Sequence, residues 1–122
     1  MAKRWTLTVR NGSQVKRARF DSPDASIEAM KRELTALADG LGAETIRIFK
    51  RQFDPSRQVM ARAEISGPGS LWSGCYGGVD LRGDGSAEAY TGRVRRSLVK
   101  LEPGESPYDG LRRALLRQSA SR

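Results

Sequence analysis

The sequence predicts an α+β fold: antiparallel β-hairpins packed on two amphipathic helices, in the order ββα-ββ-ββα. Three observations carry this. "LTVRNGSQVKRARFD" alternates apolar and polar residues on both sides of an Asn-Gly turn, a strong hairpin signal. "DSPDASIEAMKRELTALADGLG" repeats its apolar residues at helical spacing. "SPYDGLRRALLRQ" opens on the same Ser-Pro pair near the end of the chain. The 122 residues suit a single compact domain.

The first hairpin pairs residues 5–10 with 15–20. The alternation favours the four-residue loop Asn11-Gly12-Ser13-Gln14, which sets Arg10 opposite Val15. Trp5, Leu7 and Val9 then share a face with Ala18 and Phe20, and Thr6, Thr8, Arg10, Arg17 and Arg19 share the other. A two-residue loop would instead place Lys16 beside Leu7 on the apolar face.

The first helix follows, closing a hairpin–helix unit over 1–42. Ser22 caps it, Pro23 fits its first turn, and Asp24 and Glu28 complement the positive end of its dipole. Ile27, Met30, Leu34, Leu37 and Leu41 form its apolar stripe, and Gly40 is its stop. Its charges are mostly acidic, so the basic excess of the chain lies elsewhere.

A middle hairpin is expected over 45–66, turning at Asp54-Pro55-Ser56-Arg57. Ile46, Ile48, Val59, Ala61, Ala63 and Ile65 alternate inward; Arg47, Phe49, Arg51 and Arg62 alternate outward. The glycine-rich stretch 67–78, "SGPGSLWSGCYGG" with the preceding serine, reads as a loop.

The second hairpin–helix unit spans 79–118. Its strands, 79–82 and 87–95, flank Gly83-Asp84-Gly85-Ser86. Val79, Leu81, Tyr90 and Val94 are expected on one face, and Arg82, Thr91, Arg93 and Arg95 on the other. Leu111, Ala114 and Leu115 face inward from the closing helix, and residues 119–122 form a frayed tail. Gly-Ser turns at Gly12-Ser13 and Gly85-Ser86, the strands "KRARF" and "GRVRR", and the two Ser-Pro helix openings suggest an internal duplication.

Catalytic patterns do not emerge. Histidine is absent, which removes Ser-His and Cys-His nucleophiles and the commonest metal ligand. Cys75 has no second thiol to complete a zinc site or a disulfide, and reads as a packed thiol. The glycines lack a following Gly-Lys-Ser/Thr. Asp80, Asp84 and Glu88 lack calcium-loop spacing, and Asp80 is expected to pair with an arginine. The expectation is a protein without catalytic activity or cofactor. No apolar run is long enough for a membrane span, and the basic start lacks the apolar core of a leader, so a cytoplasmic protein is expected.

Charge supplies the functional signal. The net charge is +8, and seventeen of the 22 basic residues are arginine, the side chain suited to bidentate phosphate and base-edge contacts. The first twenty residues hold six basic side chains and no acidic one. Strands need a polar outer face, and arginine is one way to supply it. Like charges across a sheet nevertheless repel, so a polyanion is the expected counter-charge, DNA before RNA. The candidate contacts are Thr6, Thr8, Arg10, Arg17, Arg19, Arg47, Arg51, Arg62, Arg82, Arg93 and Arg95. A two-stranded ribbon fits the major groove, where arginine reaches guanine and threonine meets a thymine methyl.

A basic sheet face backed by an amphipathic helix resembles the DNA-binding domain of plant ethylene-response factors and the arm-binding amino-terminal domain of tyrosine integrases. The resemblance covers residues 3–41 and, less closely, 79–118. It implies a three-stranded sheet entering the major groove of duplex DNA, with Arg10, Arg17 and Arg19 as base or phosphate contacts and a third strand drawn from 45–52. RNA is the runner-up, although no RNP-type aromatic pair is present. A different class of function is docking of an acidic protein, or formation of a homodimer, anchored by Leu71, Trp72 and Tyr76.

Overall fold

The computed structural model describes residues 4–40, 59–68, 74–93 and 95–120. Among these residues the strands are β1 (Trp5–Asn11), β2 (Gln14–Phe20), β3 (Val59–Ser66), β4 (Tyr76–Arg82), β5 (Ala87–Thr91) and β6 (Ser97–Leu98), and the helices are α1 (Pro23–Asp39) and α2 (Pro107–Ala120). The strands form one antiparallel sheet in the order β2-β1-β3-β4-β5-β6. The fold is α+β.

The first hairpin takes the expected register. Arg10 faces Val15, and the ladder closes one pair further at Asn11 and Gln14. Gly12 turns the chain at a φ of +62°, a conformation open to glycine. Lys16 sits beside Val9 on the helix side of the sheet, its Nζ 3.7 Å from Glu33 Oε2 of α1. The Ser22 hydroxyl accepts from the Ala25 N–H at 3.1 Å, and Gly40 ends α1. α2 has a reciprocal cap: Asp109 N–H donates to Ser106 Oγ, and Ser106 N–H donates to Asp109 Oδ2, each at 3.1 Å.

Both helices pack on one face. By register it carries Trp5, Leu7 and Val9 of β1, Ala61, Ala63 and Ile65 of β3, Val79 and Leu81 of β4, and Ala89 of β5. These join Ile27, Met30 and Leu34 of α1 and Leu111 and Leu115 of α2 in one buried cluster. Arg112 Nε lies 2.8 Å from Asp24 Oδ1 and ties the two helices at their edge.

Several expectations change. The strand beside β1 is β3, whereas residues 45–53, with Arg47 and Arg51, lie outside the described residues. Over 61–66 both edges of β3 are taken, by β1 and β4. A bulge between Val59 and Ala61 leaves Val59 opposite Arg82 and exposed. β4 begins at Tyr76, inside the stretch read as a loop.

On β5 the faces are exchanged. Ala87 and Ala89 pair with Leu81 and Val79 beneath α2; Tyr90 points to the opposite face, and Thr91 to the helix side beside Gly77. The reason is a close approach, since a Cβ on Gly77 would lie 2.7 Å from Leu111 Cδ1. Only small residues fit there.

The duplication does not carry into three dimensions. β1 and β4 both run antiparallel to β3, hence parallel to each other. Their hairpin partners β2 and β5 lie on opposite sides of them, with both helices on the same face. The two hairpin–helix units therefore have opposite hand, which two copies of one unit would not.

Candidate nucleic-acid interface

The face away from the helices is built in cross-strand rows. The first runs Arg19, Thr6, Ser66, Tyr76 from the β2 edge inward. The second runs Arg17, Thr8, Glu64, Gly78, Tyr90, Leu98. The third runs Val15, Arg10, Arg62, Asp80, Glu88. Period-two alternation on each strand produces this arrangement.

The structure thus brings Thr6, Thr8, Arg10, Arg17 and Arg19 together on β1 and β2. All three arginines are exposed, both threonines are half-buried, and none of the three has an ion-paired carboxylate among the described residues. β2 lies at the edge of the sheet formed by the described residues and is exposed along its length up to Phe20.

The inner half of the face is charge-compensated. Arg62 Nε donates to Asp80 Oδ1 at 2.7 Å and its Nη2 donates to Asp80 Oδ2 at 3.3 Å, which raises the Arg62 pKa. Arg96 Nη1 stands 3.7 Å from the same carboxylate. Arg82 is ion-paired with Glu88. Arg62 and Arg82 are therefore on the expected face but already engaged. Arg93 lies beyond β5 with its guanidinium 4.5 Å from the centre of the Tyr76 ring. Arg95 is exposed in the same segment.

Tyr76, Tyr90 and Arg96 were not among the expected contacts. Tyr76 is half-buried on the open face; burial first, and the Glu64 carboxylate second, push its hydroxyl up to about 12. Tyr90 is 2% exposed, lies across Gly78, and is covered by the Arg96 guanidinium at 4.4 Å. The alternation Tyr76, Gly78, Asp80, Arg82 was the available signal, hidden by the glycines that suggested a loop.

Cys75 is fully buried. Among the described residues no cluster of three or more histidine, cysteine or carboxylate side chains is arranged to hold a metal ion. No described helix is long and apolar enough to cross a membrane. Leu71 and Trp72 lie outside the described residues, and Tyr76 belongs to β4. No family model, curated protein or solved structure matches the chain.

Proposed function

We propose that this is a nucleic-acid-binding protein without catalytic activity, and that it binds through the open face of β1 and β2. One observation carries the reading: among the described residues Arg10, Arg17 and Arg19 share an exposed face with no ion-paired carboxylate, while Arg62 and Arg82 on the same sheet are engaged by acids. Crowded like charges on neighbouring strands oppose folding, and a polyphosphate backbone is a counter-charge that offsets them.

DNA is the first candidate ligand and RNA the second. Arg10, Arg17 and Arg19 serve as phosphate contacts, and Thr6 and Thr8 as hydroxyl donors between them. The test is the salt dependence of binding. Affinity should fall more than tenfold between about 50 and 200 mM salt, with a log–log slope of roughly −0.7 to −0.9 per phosphate contacted. Binding that is flat over this range, or absent at low salt, would refute the reading.

A further inference from the structure

We infer that the nucleic acid bound on this face is single-stranded and that Tyr76 is the platform on which one of its bases stacks. The inference rests on the nucleic-acid reading above.

A major groove about 12 Å wide admits a two-stranded ribbon or, in the domains resembled above, a three-stranded sheet. Here β1 is hydrogen-bonded to β3 on its inner side, and the sheet continues to β6. At about 4.8 Å per strand the open face is roughly 24 Å across. Such a face suits a strand laid over it better than a duplex wrapped around it.

The row Arg19, Thr6, Ser66, Tyr76 contains no acid, whereas the second row contains Glu64 and the third contains Asp80 and Glu88. It spans three strand spacings, about 14 Å. Arg19 lies at its outer end with Arg17 beside it in the second row, the Thr6 and Ser66 hydroxyls lie in the middle, and the Tyr76 ring lies at its inner end with Arg93 against it. A positively charged track leading to an aromatic ring is how single strands are held without sequence readout.

Arg93 is exposed, and its guanidinium carbon lies over the Tyr76 ring, 4.5 Å from its centre. A base can stack on the same ring, with Arg93 closing over its far side. Tyr90 cannot play this part, because it is buried under Arg96. Glu64 beside Tyr76 opposes an anion there, but Arg93 and Arg96 act on the same ring with the opposite sign. A duplex keeps its bases stacked on one another and cannot offer one to Tyr76.

The test compares ligands on the unmodified protein first. The ligands are oligo(dT) and oligo(U) of about 15 nucleotides, a duplex of that length, an abasic oligonucleotide with the same phosphates, and heparin. Both single strands should bind about tenfold or more tighter than the abasic strand and the duplex. Tyr76→Ala should weaken oligo(dT) binding about tenfold to hundredfold and leave heparin binding unchanged, and Tyr76→Phe should stay within about twofold of the unmodified protein. Abasic or duplex DNA binding as tightly as oligo(dT) would overturn the inference, as would a folded Tyr76→Ala that binds oligo(dT) normally. The broader reading survives those results if heparin and DNA still depend on Arg17 and Arg19. Failure to bind any of the polyanions would overturn both.

Discussion

Tyr90 lies across Gly78: its hydroxyl oxygen stands 2.6 Å from the point a Cβ on Gly78 would occupy. The two are cross-strand partners on β5 and β4. The same Cβ would also stand 2.5 Å from the Ala63 carbonyl oxygen, which belongs to the backbone and has little room to move. Gly78→Ala should therefore destabilise the protein by about 1–3 kcal/mol. The Tyr90 hydroxyl is buried without a hydrogen-bond partner among the described residues, so Tyr90→Phe should leave stability unchanged or slightly raised. Urea denaturation of both variants checks the pair of expectations.

The core expectation centres on Leu34, which is fully buried in the middle of the α1 stripe. Leu34→Ala should cost on the order of 2–5 kcal/mol, a large share of the stability of a small domain. An unchanged melting temperature would mean that α1 does not pack on the sheet as described.

Asp80 organises the compensated half of the open face. Its carboxylate accepts both guanidinium bonds from Arg62 and faces Arg96. Asp80→Ala leaves a part-buried Arg62 without its acceptor and should cost about 1.5–3 kcal/mol. Asp80→Ala together with Arg62→Met should recover part of that loss, as a double-mutant cycle would reveal.

Acid should loosen the approach to α2. Arg113 donates to Glu105 from Nε at 3.0 Å and from Nη2 at 2.9 Å, and reaches the Lys100 carbonyl at 2.8 Å. These bonds hold the Glu105 carboxyl at about 2, below its ordinary 4.5. A carboxylate lowered on folding adds stability that is complete above its ordinary value and is lost as pH falls through the folded one. The window is thus about pH 4.5 down to about 2. Asp109, lowered by its bonds to Ser106, acts with the same sign. Melting temperatures across this window should fall in the unmodified protein and fall less steeply in Glu105→Gln.

The local parts of this fold are written plainly in the sequence. Alternation around Asn11-Gly12 sets the first register, and Ser22 and Gly40 mark the ends of α1, because turns and caps depend on a few adjacent residues. The β5 faces were not legible. Tyr90 is the larger apolar body and alanine a weak marker, so size favoured Tyr90 as the inward residue. The distance between α2 and the sheet reversed that choice, and it is set by Gly77 meeting Leu111 across the fold. The site divides in the same way. Arg17 and Arg19 are visible from period-two spacing alone, whereas the capture of Arg62 by Asp80 depends on β3 lying beside β4.

The most direct test of the account removes Arg17 and Arg19 together and compares the result with removal of Lys31 and Arg32. The first pair lies on the open face of β2; the second is exposed on α1, whose apolar stripe packs on the opposite face of the sheet. Both double alanine variants lose the same charge, and both should fold, the strand pair with unchanged or slightly improved stability. Oligo(dT) binding, titrated at several salt concentrations, should weaken more than tenfold for Arg17→Ala with Arg19→Ala. Its salt slope should shrink by about 1.5 to 2 units. Lys31→Ala with Arg32→Ala should stay within about twofold of the unmodified protein. Equal losses from the two pairs would contradict the account, since net charge alone, and no particular face, would then govern binding.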